Sequence, residues 1–247
     1  IKGDMLSREW WDLLETSGVR YGTWLYDEMR RMSYTEEDLH HLGALASYSP
    51  LDAQHLREQG FEVFDMPNAY DTHCPVVPMR EDSINFVGAK YPNREETLQA
   101  LVAAGLPVRA YGRAWSRHPY DILRTKQFKD SGVPAGRDID RSEAYGIMAS
   151  SPATLNIHNN QDGFTMRTFE APGVGALQVI DRADVDRYYI PGEEVLVYES
   201  IDELIEICTR IFREPKWARQ IREAGQKRTL AEHTFDQRVK ILEQLWA

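Results

Sequence analysis

An arginine and a glutamate lie one helical turn apart in the segment 158–180, and together they have the chemistry to hold a nucleotide. An apolar run at 155–157 predicts a strand, a polar turn follows it, and a short predicted helix then carries Arg167 and Glu170. A guanidinium binds phosphate oxygens in a bidentate manner, and a carboxylate accepts hydrogen bonds from vicinal ribose hydroxyls. The segment therefore predicts a site for a nucleoside diphosphate, such as that of a nucleotide-sugar.

Neighbouring residues extend this predicted site. Gly163, Phe164 and Thr165 stand at the predicted helix start, where backbone N–H groups and the helix dipole attract an anion. His158 ends the preceding strand, although a structural histidine fits that position equally well. The arginine and the glutamate could instead be solvated surface residues, but the apolar residues around them favour a site.

Two further turns follow predicted strands, and ligands of parallel sheets sit beyond the carboxyl ends of strands. In the first turn, Gly88 allows close approach of a ligand, and Arg94 could reach a phosphate. In the second turn, Gly112 precedes Arg113 and Trp115, a cation and a ring that could line a pocket. Each turn also has a structural interpretation, as a tight turn with solvated basic residues or as a surface arginine beside a core tryptophan.

The spacing of the polar residues indicates few other kinds of chemistry. Asp27 and Glu28 end a predicted strand and could supply a general base, but adjacent acids on an acidic protein are usually solvated. The sequence contains no recognisable Ser-His-Asp arrangement, phosphate-binding loop or metal-ligand cluster. We therefore expect neither a metal nor another cofactor.

The elements that position these residues alternate between strand and helix, which predicts parallel sheets covered by helices. The segment 112–141 fits helix and loop equally. A helix capped around Asn93 and a capping box at Ser200 and Glu203 mark two helix starts. The predicted strands lie at 21–26, 44–47, 61–64, 83–88, 107–111, 155–157 and 179–180, with helices between them and two more after Pro215.

Composition argues against several classes of partner. The chain has 247 residues, enough for one large domain or two modest ones. Its net charge of -10 repels nucleic acid and anionic membranes, so an anionic ligand needs a local set of arginines. No apolar run is long enough to cross a bilayer. Cys74 and Cys208, far apart and without metal-like spacing, are typical of a reducing cytoplasm.

These segments also resemble a known family. The run Arg167-Thr-Phe-Glu-Ala, followed by Gly175 and an apolar strand, is similar to the ribose-binding segment of group 1 glycosyltransferases with the GT-B fold. The order of the segments resembles the spore-maturation (CgeB-like) branch of that family. The resemblance is good from about Ser83 to the C-terminus and looser over 1–69. Its other segments are 84–88 with Arg94, 111–115, 155–158 and 188–200.

The resemblance implies an α/β protein of two Rossmann-like parallel-sheet domains. Residues 1–70 would form a partial acceptor-side domain and residues 71–82 a linker. Residues 83–234 would bind the nucleotide-sugar, and residues 235–247 would form a helix that crosses back to the first domain. About three strands precede the linker, too few for a complete acceptor domain. We therefore expect an incomplete N-terminal domain, in keeping with the start at Ile1.

By the same resemblance, the protein is a hexosyltransferase-like enzyme that transfers a sugar from a nucleoside diphosphate sugar to an unidentified hydroxyl acceptor, without a required metal. Glu170 then maps to the ribose ligand and Arg167 to a diphosphate contact. Asp162 stands eight residues before Glu170, where retaining members carry a longer glutamate that contacts the donor sugar. Pro172 also departs from the family pattern, because it should end or kink the helix.

Two other functions stay open at this point. One is a noncatalytic module of the same fold that binds nucleotide-sugars or glycans, and the other is an epimerase or phosphorylase with the GT-B fold. Donor hydrolysis distinguishes an enzyme from a binding module. If the enzyme inverts the sugar configuration, Asp27 and Glu28 are the candidates for a general base.

Overall fold

The computed structural model describes residues 7–245, and these residues form two compact units. Within that range, the first unit comprises 7–69, 160–166 and 235–245, and the second comprises 70–159 and 167–234. The short segment 160–166 thus groups with the first unit, although we expected 83–234 to belong to one domain. Each unit has its own parallel sheet and its own apolar core.

Helices and strands alternate through both units. The strands are β1 (Gly22–Leu25), β2 (Ala44–Ser47), β3 (Val63–Asp65), β4 (Ile84–Val87), β5 (Val108–Tyr111), β6 (Ala135–Gly136), β7 (Thr154–Asn156), β8 (Gln178–Ile180) and β9 (Leu196–Val197). The helices are α1 (Arg8–Thr16), α2 (Glu36–Leu39), α3 (Pro50–Glu58), α4 (Pro92–Ala103), α5 (Pro119–Thr125), α6 (Arg141–Ser150), α7 (Arg167–Gly173), α8 (Ile201–Arg213), α9 (Pro215–Glu232) and α10 (Phe235–Leu245). Short 3-10 helices lie at Met29–Arg31 and Ala183–Arg187.

The first unit contains a three-stranded parallel sheet in the order β1-β2-β3. Gly22 pairs with Ala44, and Leu45 pairs with Val63. Helix α3 begins where Ser49 accepts a hydrogen bond from the Asp52 N–H group, which satisfies a donor of the first helical turn. The sheet and the helices of this unit bury Trp11, Leu25, Leu39, Leu42, Leu45, Ala53, Leu56 and Val63.

The second unit contains a six-stranded parallel sheet in the order β6-β5-β4-β7-β8-β9. Its strands are largely buried on both faces, as expected for a parallel sheet covered by helices. Along the chain the sheet grows outward from β4 to β6, and the chain then returns to add β7 on the other side of β4. The strand order therefore reverses between β4 and β7. Open sheets of this kind bind ligands at the carboxyl end of that point.

The structure confirms the predicted strands, with each boundary displaced by at most two residues. The two-residue strands β6 and β9 were not predicted, because so short a segment shows no periodicity. The ambiguous stretch 112–141 contains α5 and β6, joined by irregular chain. Residues 71–82, the predicted linker, contain no helix or strand and group with the second unit.

Pro172 lies inside α7, and the structure shows why the helix tolerates it. A proline has no N–H group, so the carbonyl oxygen of Thr168, four residues earlier, loses its helical donor. The side-chain amide of Gln178 donates to that carbonyl oxygen over 3.3 Å. Asn156 donates to the Thr168 hydroxyl and to the Gln178 amide oxygen, over 2.9 and 3.1 Å. This buried polar network satisfies the carbonyl oxygen that the proline leaves without a helical donor. Helix α7 continues one residue past the proline, to Gly173.

Candidate functional site

Side chains of α4 join the ends of β4 and β7 at the place where the strand order reverses. We call this place the switch point and define it as residues 88–94 and 157–158. Asn93 donates from its amide to the carbonyl oxygen of His158 over 2.7 Å, and Arg94 donates from Nε to the carbonyl oxygen of Ile157 over 2.8 Å. The predicted cap at Asn93 is wrong: Tyr91 holds the cap position, and Asn93 lies in the first turn. Its amide therefore links the first turn of α4 to the turn after β7 instead of capping α4.

Arg94, itself a residue of the switch point, is largely buried. Its Nη1 donates to the carbonyl oxygen of Ala89 over 3.0 Å, and its guanidinium lies 5.2 Å from the ring centre of Phe86 and 4.9 Å from that of Tyr91. Burial lowers the pKa of Arg94, and the positive charge of Arg167 lowers that pKa further. Arg94, predicted as a phosphate ligand, thus also supports the backbone of both turns.

The imidazole of His158 is held in one orientation by Asp181. One carboxylate oxygen of Asp181 accepts the backbone N–H of His158 over 2.8 Å, and the other lies 2.7 Å from Nδ1. Asp181 directly follows β8, so its position at a strand end could have drawn attention to it in the sequence. Such a carboxylate fixes the ring plane and the tautomer of a histidine.

Glu170 is a buried carboxylate of the second unit with two arginines and a tyrosine beside it. Its side chain is 6% exposed and lies on α7. Tyr145 donates its hydroxyl hydrogen to Oε1 over 3.1 Å, and Nε of Arg141 lies 3.6 Å from the same oxygen. Nη1 of Arg167 lies 3.2 Å from Oε2. A carboxylate and two guanidinium groups therefore lie together on α6 and α7.

The carboxylate of Glu170 has hydrogen-bond acceptor positions that the described residues leave unused. An ionised carboxylate offers about four acceptor positions. Within the part of the chain that the structure describes, the Tyr145 hydroxyl is the one group that meets hydrogen-bond geometry with it. Burial, and then the charge of Glu170, raise the pKa of Tyr145, so this hydroxyl stays a donor at neutral pH. Two vicinal hydroxyls could therefore bind beside it.

The turn after β5 is packed tightly against the turn after β4. Gly112 has φ +147°, and a Cβ atom there would lie 2.7 Å from the carbonyl oxygen of Gly88. Trp115 donates from its indole N–H to that same oxygen over 2.9 Å. Arg113 pairs with Asp138, 2.9 Å away, beside an open cavity of about 430 Å³. Gly88 therefore lies between the turns after β4 and β5, whereas the guanidinium of Arg113 pairs with Asp138.

The segment 160–166 belongs to the first unit and is bonded there by its backbone and side chains. Asp162 accepts hydrogen bonds from the Ser49 hydroxyl over 2.7 Å and from the Leu51 N–H over 2.9 Å, so it caps α3 from outside that helix. The carbonyl oxygen of Phe164 accepts from the Asn68 amide over 3.0 Å.

The predicted start of α7 is therefore wrong. The helix begins at Arg167, after the predicted start at Gly163, Phe164 and Thr165. Gly163 faces Tyr48 so closely that a Cβ atom would lie 2.5 Å from the ring.

Glu28 and Asp27 differ in exposure. The Glu28 side chain is 3% exposed, accepts the Asp162 N–H over 2.6 Å and pairs with Arg30 and Arg31. The Asp27 side chain is 27% exposed, and its Oδ1 accepts the N–H of Glu28 over 3.0 Å. A general base must reach the proton of an acceptor. Asp27 meets that requirement better than Glu28 does.

Neither a metal site nor a membrane span is found in the residues from 7 to 245. No three of their His, Cys, Asp or Glu side chains are grouped so that they could hold a metal ion. None of the helices in this range combines the length and the apolar character that crossing a bilayer requires.

Sequence reasoning missed four residues that the structure adds to the candidate site. Asp181 directly follows β8, and Asn93 lies in the first turn of the helix after β4, so the strand-end rule could have drawn attention to both. Tyr145 and Arg141 lie on α6 and reach Glu170 only through the fold. No local pattern predicts such contacts.

Residues 94–244 match a sequence family described as glycosyl transferase-like. No curated protein sequence matches the chain.

Solved structures share the fold of this chain. A sucrose-phosphate synthase from Thermosynechococcus elongatus superposes with a TM-score of 0.63 over 96% of this chain and 70% of its own, at 16% identity. HepE from Anabaena in complex with UDP gives 0.67 over 95% and 74%, at 12% identity. A DNA-modifying β-glucosyltransferase, solved with and without uridine diphosphoglucose, gives 0.59 over 93% and 73%, at 11% identity. The predicted α/β fold with parallel sheets of the GT-B type is thereby confirmed.

Proposed function

This chain belongs to the glycosyl transferase-like family, and from that premise we propose that it is an enzyme that moves a sugar from a nucleoside diphosphate sugar to a hydroxyl group of an acceptor. The expected chemistry is hexosyl transfer, and the spore-maturation branch is the part of the family whose segment order it resembles. The second unit binds the donor, at the switch point and along α7.

The observation that carries this proposal is the surroundings of Glu170. A buried carboxylate with unused acceptor positions matches the two hydroxyls of a ribose, because each hydroxyl can donate one hydrogen bond. Arg167, next to it, is a cation for the diphosphate. The same parallel-sheet edge is where open α/β folds bind nucleotides.

The leaving diphosphate sets the main chemical task of the site. Negative charge grows on the departing oxygen as the sugar bond breaks, and fixed positive groups stabilise it. Arg167 carries out this role in our proposal, and the buried charge of Arg94 adds to the positive potential. His158, oriented by Asp181, contacts the donor. We therefore expect transfer to proceed in EDTA.

The neighbours suggest which donor to test first. HepE is solved with UDP and with UDP-glucose, and the DNA-modifying enzyme with uridine diphosphoglucose. We propose a uridine diphosphate sugar as the donor. For the acceptor side, Asp27 is the carboxylate we propose as the base, because its side chain is more exposed than that of Glu28.

Turnover of the donor tests the proposal. The chain is incubated with UDP-glucose and, separately, with GDP- and ADP-glucose in EDTA, and release of the nucleoside diphosphate is measured. We expect release from one donor, reduced about 10- to 100-fold in Arg167→Ala, as for loss of a charge-assisted contact. Arg213→Ala, at the end of α8, is the matched control and should match the wild type. Binding without release would favour the noncatalytic module, and neither binding nor release would contradict the proposal.

A further inference from the structure

The second unit has an open cavity at the edge of its sheet opposite the switch point. The cavity measures about 350 Å³ and is lined by Asp82, which precedes β4, and by Pro152, which precedes β7. The end of α8 and the first turns of α9 close its other side. Strands β4 and β7 separate it from the switch point, so it is not part of the donor site proposed above.

Two arginines of α9 bring positive charge to this cavity. Arg219 and Arg222 lie one turn apart and both line it. Arg222 donates from Nη2 to the backbone carbonyl oxygens of Ser151 and Pro152, which keep its guanidinium at the cavity wall. Burial lowers the pKa of Arg222, and the charge of Arg219 lowers it further. An anion bound between them would offset the repulsion between the two charges.

The acidic residues that line the cavity have other partners. Glu81 accepts hydrogen bonds from the Tyr111 hydroxyl and from the N–H of Ser83. Asp82 pairs with Arg80, 3.1 Å away. Across residues 7–245, by contrast, neither Arg219 nor Arg222 forms an ion pair with a carboxylate. The cavity thus offers two guanidinium groups that no carboxylate of the described residues pairs with, in a protein whose net charge is -10.

The remaining wall of the cavity is apolar. The lining includes Phe212, Ile211, Pro215 and Ala218, and Phe212 is 40% exposed. A few polar groups beside an apolar wall are typical of sites for small organic molecules. Two guanidinium groups match the oxygens of a doubly charged phosphate.

We propose that this cavity binds a phosphomonoester that carries an apolar ring or chain. The phosphate lies between Arg219 and Arg222, and the apolar part lies against Phe212. The site is separate from donor binding and occupies the amino-terminal edge of the same sheet.

Phenyl phosphate and inorganic phosphate are the probes, titrated into the full chain by calorimetry. We expect phenyl phosphate to bind at least about fivefold more tightly than inorganic phosphate, since the ring adds buried apolar area. Arg219→Ala should weaken its binding about tenfold, as for loss of a charge-assisted hydrogen bond, and Phe212→Ala should remove the advantage of the ring. Arg222→Lys keeps a donor for the carbonyl oxygens but loses the guanidinium group, so it should also weaken the binding of phenyl phosphate.

Two control variants locate the binding. Arg213→Ala removes a nearby arginine that does not line the cavity, and Arg167→Ala removes a cation of the proposed donor site. Both should bind phenyl phosphate as the wild type does, and thermal unfolding of every variant checks that it is folded. The proposal is overturned if phenyl phosphate does not bind, if it binds no better than inorganic phosphate, or if folded Arg219→Ala and Arg222→Lys bind it unchanged. Loss of binding in Arg167→Ala alone would also overturn it, by assigning the anion to the donor site.

Discussion

Asp162 and Glu170 stand eight residues apart in the sequence, yet their carboxylates have different surroundings. Asp162 belongs to the first unit and caps α3, through Ser49 and Leu51. Glu170 belongs to the second unit and is flanked by Arg141, Arg167 and a tyrosine, with acceptor positions still unused. A pair of acids at a family spacing therefore does not specify two ligand contacts. The donors around each carboxylate indicate whether it stabilises the fold or is available to a ligand.

The largest expected effect separates the two acids by nucleotide affinity. Glu170→Ala should raise the Kd for UDP about 10- to 100-fold, because a charged acceptor of two ribose hydroxyls is lost. Asp162→Ala should change that Kd by less than about twofold, because its carboxylate accepts hydrogen bonds from Ser49 and Leu51 at the N-terminal end of α3. Calorimetric titration of both variants measures this, with the exposed Glu206→Ala as control. Equal effects of the two substitutions would remove the distinction we draw.

Stability should show the opposite pattern. Asp162→Ala removes the acceptor of a first-turn N–H group of α3, which costs about 1–2 kcal/mol. Asp162→Asn keeps an oxygen at that position and should recover most of the loss. Urea unfolding followed by tryptophan fluorescence measures this, and Trp11 and Trp24 of the first unit contribute to the signal. An Asp162→Ala protein as stable as the wild type would mean that the cap contributes nothing.

Tyr145 should affect Glu170 with a smaller magnitude. Tyr145→Phe removes one hydrogen bond to the carboxylate, about 0.5–1.5 kcal/mol, so the Kd for UDP should rise about 2- to 10-fold. Because the pKa of Tyr145 is raised, its hydroxyl stays protonated, and the effect should be the same at pH 6 and pH 9. If Tyr145→Phe binds UDP with the wild-type Kd at both pH 6 and pH 9, Tyr145 does not position Glu170.

A third carboxylate, Asp121, tests the same distinction inside the second unit. Ser116 and Arg137 donate to it, and these hydrogen bonds from Arg137 and then Ser116 lower its pKa. A lowered pKa means that the ionised form stabilises the protein above the unfolded value of about 3.9, and that this contribution is lost as the pH falls through the folded value.

The prediction for Asp121→Asn follows from that sign. The variant should be less stable than the wild type at pH 7, and the difference should shrink as the pH falls below about 4. Urea midpoints at several pH values measure it, and UDP affinity at pH 7 should not change. A stability difference that stays constant down to acid pH would contradict the role of this ion pair.

The sequence predicted the frame of the protein well because strands and helix starts carry local patterns. The strand at 44–47 and the helix start at Ser200 depend on near neighbours only, and both appear as predicted. The donor from Gln178 to the carbonyl oxygen of Thr168 was not predictable, because it joins residues of different elements. Without knowledge of that hydrogen bond, Pro172 indicates only that the helix ends or kinks there.

The candidate site was predictable in part for the same reason. Residues that follow strands, such as His158, were identified because strand ends mark ligand sites in parallel sheets. The capping role of Asp162 was not, because its partner Ser49 is distant in sequence. Asn93 was assigned to a cap because its type suits one, yet it bonds across to another strand end. Such contacts depend on the whole fold.

A crystal structure with bound UDP tests the central claim most directly. We predict both ribose hydroxyl oxygens within about 2.6–3.2 Å of the Glu170 carboxylate oxygens, the diphosphate against Arg167, and Asp162 still bonded to Ser49. A ribose bound away from Glu170, with the carboxylate contacting only Tyr145 and the two arginines, would contradict the account.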